Sequence, residues 1–285
     1  MKCEVRRAVN LLTAVNEAYL DPLAVMLYSF IRWNKTELNI YILHFEISPE
    51  RQRQFRAQFR KRGNGRVNIY FLKAEKEIFS GIAEDQRYKY ETNLRLLMLK
   101  MLPQETDRIL WLDVDIIVKG NLRRLYEYPD KGQCAVVCDD MFPKSERSYV
   151  LKKSGMCHGD RYFNAGVMLL YLNNIRKMFR EDDFTGWMHD NPEKLIYQDQ
   201  SVLNNCFKHR LVWANAGIYN LQLLRVWELP DERRRLRRAR IVHYNTKDKP
   251  WSSAYQGIGE LLYWRYGIMI LGIGKCIGHF AGRCV

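Results

Sequence analysis

Near its N-terminal end the chain alternates short apolar runs with charged, amphipathic stretches, the pattern of a β-α-β-α-β unit. Glu4 to Ala14 reads as a first strand, Val15 to Tyr19 as a loop, and the residues to about Trp33 as a helix. Asn39–Phe45 is a second apolar run of strand length. Ser48 and Pro49 then supply an N-cap and a first-turn proline for a charged helix to about Lys61. Gly63 to Gly65 ends that helix, and Val67–Phe71 is a third strand. This alternation predicts a parallel sheet with helices on both faces, which binds ligands at the carboxyl ends of its strands.

Further along, Arg108–Leu112 reads as a buried strand that runs into Asp113, Val114 and Asp115 and leaves along Ile116–Val118. Two carboxylates closing a buried strand are costly unless positive charge faces them. A divalent cation carrying a phosphorylated ligand would supply it, because hard cations take carboxylate oxygens and bridge phosphates. The plainer alternative is a strand-end turn whose aspartates face water. Tyr90–Leu102 predicts a helix closed by Pro103, with Arg95 set among leucines, either snorkelling to solvent or aimed at a buried anion. Cys134–Cys138 is another strand, ending in Asp139 and Asp140. Within Tyr162–Leu170, the small polar step Asn164, Ala165, Gly166 precedes a buried strand and lets backbone or amide approach a ligand closely. Helices are expected from Asn173, over Asp182–His189, and from Gln198 to Phe207. Asp199, at the start of the last, is either a first-turn dipole partner or a site residue.

Arg233–Arg240 is the densest basic run, either a solvated helix face or a contact for nucleic acid or lipid headgroups. It leads into a short strand, Ile241-Val242, and then His243, with Lys247 and Lys249 close behind. A histidine at a strand end followed by two lysines suits a metal and a diphosphate, although alone it is more often an ordinary loop residue. From Glu260 to Val285 aromatics and cations flank a short apolar face. Its uncharged run falls short of the roughly 20 residues of a transmembrane helix. It suits an element lying in a membrane interface, or a helix docking on the protein's own surface.

Composition narrows this picture. At 285 residues, a single large α/β domain with appendages fits, and 47% hydrophobic residues supply a substantial core. A net charge of +14 predicts an anionic partner: phosphorylated substrate, anionic membrane or nucleic acid. The seven scattered cysteines lack a Cys-x-x-Cys pair and read as reduced structural thiols, not a disulfide framework or zinc site. With no secretory leader pattern visible, a cytoplasmic protein peripherally associated with the inner face of the membrane is expected.

Six segments then collect into one pattern: Asn16 to Tyr19, Asn93 to Leu96, Trp111 to Asp115, Phe163 to Val167, Tyr197 to Gln200, and His243 with Lys249 to Trp251. In this order and at these intervals they resemble glycosyltransferase family 8, whose retaining enzymes include bacterial lipopolysaccharide galactosyl- and glucosyltransferases and, more distantly, glycogenin. The resemblance implies a single GT-A type, Rossmann-like α/β domain over residues 1–254, with a mostly parallel central sheet flanked by helices. A helical, membrane-associating tail over residues 255–285 would follow. It implies transfer of a hexose from a UDP-sugar to a saccharide or lipid-linked acceptor, with Mn2+, or Mg2+ in its place.

On this resemblance Asp113, Asp115 and His243 would hold the metal. Ala14, Asn16 and Tyr19 would form the uracil and ribose pocket, with Tyr19 stacking on the base. Arg95 would approach the donor sugar and phosphates. Asn164, Ala165 and Gly166 would line the donor sugar, as would Asp199 and Gln200 where the anomeric carbon is attacked. Val114 and Thr246 would flank the nucleotide, and Lys249 would hold the departing diphosphate. Two positions depart from the family pattern: Thr246 replaces the usual glycine, and Asn16 stands where some bacterial members carry aspartate. Thr246 is the one hint of a family member that binds sugar nucleotide without transferring it. No helix-turn-helix or aromatic platform accompanies the basic run, so no specific nucleic-acid partner is expected. The segment from Lys144 to Asp160, which would cover the acceptor, carries no readable pattern.

Overall fold

A strand covered on both faces must be apolar at successive positions, and Arg108–Leu112 meets this after its first residue. The computed structural model describes residues 8–82, 90–226 and 229–281. The strands are β1 Val9–Ala14, β2 Leu38–His44, β3 Val67–Lys73, β4 Arg108–Leu112, β5 Ile116–Val118, β6 Ala135–Asp139, β7 Phe163–Tyr171, β8 Leu211–Ala214, β9 Leu221–Gln222 and β10 Ile241–His243. They form a seven-stranded sheet in the order β3-β2-β1-β4-β7-β6-β8 and a three-stranded sheet in the order β5-β10-β9. β4 occupies the middle of the larger sheet. Leu110 and Leu112 enter the core on one face, Ile109 and Trp111 the core on the other.

All pairings of the large sheet are parallel except those of β7, which runs antiparallel to β4 and to β6. The β-α-β-α-β expectation therefore holds through β3, with α1 (Leu20–Trp33) and α2 (Pro49–Arg62) as its crossovers. The Ser48 hydroxyl accepts from the Arg51 N–H at 3.3 Å and Pro49 occupies the first turn, as the capping pattern predicts. Strands β8 and β9 carry no sequence pattern that predicts them. The expected start of the first strand at Glu4 lies outside the described residues, as do Cys3, Arg283 and Cys284.

The Tyr90–Leu102 helix differs from expectation. Tyr90–Leu97 is a 3-10 helix and only Met98–Met101 continues as α. Three residues per turn eclipse side chains at i and i+3. That places Thr92 and Arg95 on one edge while Leu94, Leu96 and Leu97 are buried.

The C-terminal helices, Glu260–Leu271 and Ile273–Ala281, dock on the domain by one face. Tyr263, Trp264, Tyr266, Ile270 and Cys276 join the same core as α1. The Tyr266 hydroxyl accepts from Trp33 Nε1 at 3.0 Å, and Gln58 Nε2 donates to the Ile270 carbonyl at 3.1 Å. The opposite face leaves Leu261, Met269, Ile273 and Ile277 exposed.

At the end of the sheet away from the site, register is marked by an amide ladder. Asn10 pairs with Asn39 and Asn39 with Asn68 in the parallel register. Asn68 Nδ2 donates to Asn39 Oδ1 and Asn39 Nδ2 to Asn10 Oδ1, both at 3.0 Å, and Asn10 Nδ2 reaches the Arg108 carbonyl at 3.3 Å. Asn39→Ala removes both central bonds and strands an amide on each side. A loss of about 1–2 kcal/mol is expected, read as a lower urea midpoint with unchanged slope. An unshifted midpoint would show that the ladder contributes nothing.

Candidate active site

The turn after β4 is tied to both sheets through its backbone. The Asp113 N–H donates to the carbonyl of Gly166, within β7, at 3.0 Å, and the N–H of Tyr244, just after β10, donates to the Asp115 carbonyl at 2.8 Å. These two bonds fix the separation of the carboxylates and bring His243 between them. His243 Nε2 lies 3.2 Å from Asp115 Oδ1 and 3.9 Å from Asp113 Oδ2. One ligating atom from each of the three residues falls within 4.8 Å of the others. Two carboxylate oxygens and one imidazole nitrogen suit a hard-to-borderline divalent cation.

The remaining oxygens are matched to cations. Asp113 Oδ1 accepts from Arg95 Nη2 at 3.0 Å and from Trp111 Nε1 at 2.7 Å, leaving Oδ2 for the His243 side. Asp115 Oδ2 accepts from Lys249 Nζ at 2.7 Å. Burial works to raise the Asp115 carboxyl, but Lys249 and then His243 outweigh it and hold the group well below the usual carboxylate range. Arg95 is 5% exposed, and its guanidinium lies 4.3 Å over the Trp111 ring. It donates to the Ala165 carbonyl at 2.6 Å and lies 2.7 Å from Asp199 Oδ2. It is thus aimed at buried anions, not snorkelling.

Asp199 and Gln200 open their helix, Asp199–Cys206, after Gln198, whose φ of 46° turns the chain sharply. Asp199 is 1% exposed, so it is more than a first-turn dipole partner. Burial pushes its carboxyl up to about 7, with Arg95 opposing and Asp113 adding to the rise. Its Oδ2 has ionic contact with Arg95 but no aligned hydrogen-bond donor among the described residues. The neighbouring Arg95 Nε–H is directed at the Thr92 carbonyl at 3.3 Å. Gln200 is pinned at both ends of its amide: Oε1 accepts from the Ala165 N–H at 2.9 Å and Nε2 donates to Asp140 Oδ2 at 3.0 Å.

Two adjoining cavities share Arg95, Asp113, Asp115 and Lys249. One, of about 300 Å3, is walled by Ala14, Val15, Asn16, Tyr19, Trp111 and Val114. The other, of about 240 Å3, takes in Asn164, Ala165, Asp199, Gln200 and His243. Its outer wall is Phe142 stacked on Tyr197, with ring centroids 5.6 Å apart. All but two of the expected site residues therefore meet in one cleft. Gly166, expected to line the donor sugar, instead lies behind His243, where a β-carbon would collide with the imidazole. Thr246 lines neither cavity; it is partly exposed, and its hydroxyl donates to the Asp248 carbonyl at 2.6 Å.

Sequence reasoning passed over Asp140. It is buried at 7% exposure and accepts from Gln200 and from Asn164 Nδ2 at 3.3 Å. The same signal that marked Asp113, an acid at the end of an apolar strand, was present in Asp139 and Asp140. Only the second turns inward, because Arg147 and Arg161 hold Asp139 at 2.5 and 3.2 Å. Asn220, Gln222 and Phe142 had no such signal. Cys134, Cys138, Cys157, Cys206 and Cys276 are unbridged, and burial pushes the thiols of Cys134 to about 11 and Cys138 to about 12.

Comparison with known proteins agrees with this geometry. The profile described as glycosyl transferase family 8 matches residues 10–254. Glycosyltransferase GlyF of Streptococcus pneumoniae is 28% identical over 260 residues, covering 90% of this chain and 61% of that protein. A lipopolysaccharide 1,3-galactosyltransferase of Salmonella typhimurium is 26% identical over 258 residues, covering 86% of this chain and 73% of its own length. The chain thus spans about three fifths of the length of GlyF. The crystal structure of galactosyltransferase LgtC, solved with donor and acceptor sugar analogues, superposes with a TM-score of 0.81 at 24% identity, covering 94% of this chain and all of that one. The fold is accordingly GT-A-like α/β.

Burial pushes the Asp140 carboxyl up to about 6, while its hydrogen bonds from Asn164 and Gln200 oppose the rise. A carboxyl raised in the folded state stabilises the fold at acid pH, and that contribution is lost as pH rises through the folded value. In a chelating buffer, Asp140→Asn should flatten the fall in stability between about pH 4 and pH 8 by on the order of 2–3 kcal/mol. Thermal unfolding across that range checks this; parallel wild-type and variant profiles would show that Asp140 is not raised.

Proposed function

The chain belongs to glycosyl transferase family 8, and from that premise we propose that it transfers a hexose, galactose or glucose, from a UDP-sugar to a glycan or lipid-linked saccharide. Transfer retains the anomeric configuration, depends on Mn2+, and serves lipopolysaccharide or other cell-surface polysaccharide synthesis. The observation that supports this most is the cluster of Asp113, Asp115 and His243, set between a nucleotide-sized cavity and a second cavity with an aromatic wall.

Each group then has a task that its surroundings suit. Asn16 Oδ1 is buried without a hydrogen-bond partner among the described residues, which fits an acceptor for an N–H of the uracil. Tyr19, held edge-on to Trp251 at 5.9 Å, has its ring plane fixed for stacking on the base. Asp113, Asp115 and His243 would hold the cation, which would supply charge neutralisation to a diphosphate leaving group. Lys249 stands beside Asp115, a partly buried ammonium placed where the diphosphate charge would grow. The Asp199 Oδ2 atom without an aligned donor fits a donor-sugar hydroxyl. Gln200 Oε1, fixed by the Ala165 N–H, presents its second lone pair as an oxygen near the anomeric carbon. Phe142 and Tyr197 offer a face for the acceptor saccharide.

Membrane contact belongs to the same proposal. The exposed strip of Leu261 (77% exposed), Met269 (59%), Ile273 (65%) and Ile277 (59%) lies on helices docked by their other face. No helix among the described residues is long and apolar enough to cross a membrane, so the strip would rest in the interface.

The direct test is UDP release from a panel of UDP-hexoses with Mn2+. Activity should vanish with chelator and fall by about 100-fold or more in Asp115→Ala; undiminished turnover in either arm would sink the metal-dependent reading. Separately, Ile273→Asp combined with Ile277→Asp should weaken binding to anionic liposomes by on the order of tenfold, with UDP affinity unchanged. Equal sedimentation with liposomes would refute the membrane assignment.

A further inference from the structure

We propose that Asn220 is a positioning residue that fixes which nitrogen of His243 carries the proton, and so aims Nε2 at the two aspartates. This rests on the cation reading of Asp113, Asp115 and His243 given above. Asn220 is fully buried and immediately precedes β9. Parallel pairing of β9 with β10 sets Leu221 against Val242 and Gln222 against His243, and that register carries Asn220 to the imidazole.

The hydrogen-bond roles follow from an unambiguous starting point. The Gly166 N–H can only donate, so the Asn164 atom 3.1 Å from it is the amide oxygen. The Asn164 nitrogen then faces the Asp140 carboxylate at 3.3 Å, which accepts. Asn164 Oδ1 also meets the Asn220 amide at 2.9 Å, and the Asn220 atom there must be nitrogen. Its oxygen is therefore the atom 2.9 Å from His243 Nδ1. An amide oxygen only accepts, so Nδ1 keeps its proton and Nε2 is the nitrogen presented to Asp115 and Asp113.

The reverse tautomer would set two lone pairs face to face at a site where His243 is 3% exposed and water cannot intervene. It would also put a proton where a metal ligand needs an electron pair. Ligating histidines commonly depend on such an outer partner for orientation and basicity. Here that partner is neutral, and the chain of bonds continues through Asn164 and Asp140 to Gln200. The metal face and the sugar face of the cleft thus share one polar network.

The test uses full-length protein with 15N-labelled histidine in wild type, Asn220→Ala and Asn220→Asp. Long-range 1H–15N spectra of metal-free protein at alkaline pH report the tautomer; electron paramagnetic resonance of free Mn2+, titrated with UDP present, reports affinity. Wild type should show a single Nδ1–H form. Asn220→Ala should show mixed tautomers and about 10- to 100-fold weaker Mn2+ binding. Asn220→Asp still accepts from Nδ1–H and should keep the tautomer and most of the affinity, although it loses the bond to Asn164. A merely structural role would lower the melting temperature of both variants without separating their spectra. A wild type without the Nδ1–H form overturns the proposal, since Asp115 also faces Nε2 at 3.2 Å; so do a wild-type tautomer and affinity in Asn220→Ala, or a mixed tautomer in a folded Asn220→Asp equal to that of Asn220→Ala. A wild type that binds no Mn2+ overturns the cation reading instead, and the tautomer spectra still decide the role of Asn220.

Discussion

Everything in this cleft answers to the cost of holding several carboxylates out of water. Asp113, Asp115, Asp140 and Asp199 all wall one cavity. An isolated buried carboxylate is expensive enough that it protonates unless cations or donors face it. Three of the four meet cations at close range: Asp115 meets Lys249, and Asp113 and Asp199 share Arg95. Asp140, which meets only amides, is raised to about 6, and Asp199 to about 7. The protein's own positive groups therefore leave acidity in surplus, which is the condition under which a divalent cation and a cation-bearing substrate complex bind favourably.

The fold supplies those countercharges from distant parts of the chain. Arg95 comes from a 3-10 turn packed beside β1 and β2, where the eclipsed spacing points it and Thr92 at the same cavity edge and lets it reach Trp111 of β4. His243 and Lys249 come from the small sheet, which reaches the aspartates because β5 leaves the turn directly and pairs antiparallel with β10. The turn Asp113–Asp115 joins the two sheets, tied by one backbone bond to each side. A glycine at 166 is what allows the imidazole into this space at all.

How much of this was legible depends on whether the physical cause was local. The buried β4 strand ending in two acids, and the Ser48 cap with Pro49, declare themselves because adjacent residues carry the whole signal. Arg95 could be read either way, since sequence does not say on which side a helix finds its anion. The 3-10 geometry itself was not visible, being imposed by packing of Leu94, Leu96 and Leu97 against the core. Asn220 was silent for a stronger reason: its partners lie 23 and 56 residues away, and a lone asparagine has no periodicity. The resemblance to a family pointed to Asp113, Asp115 and His243 but not to the amide that faces His243.

The C-terminal helices show the same dependence on non-local contacts, and with a consequence for the site. Amphiphilic patterning left two alternatives, docking or membrane contact; the structure shows the docking by one face and leaves the other face exposed. The docked face is not remote from the chemistry. Trp264 Nε1 donates to the Pro250 carbonyl at 3.0 Å, and Tyr263 packs on Trp251 at 5.6 Å, itself in edge contact with Tyr19. These contacts brace the loop that carries Lys249, whose ammonium also donates to the Tyr244 carbonyl at 2.8 Å. Removing the tail would therefore unpack the wall of the cavity that Asn16 and Tyr19 line, along with any membrane contact. Only substitutions on the outward face would separate docking from any membrane contact, because those side chains stand outside the packed core.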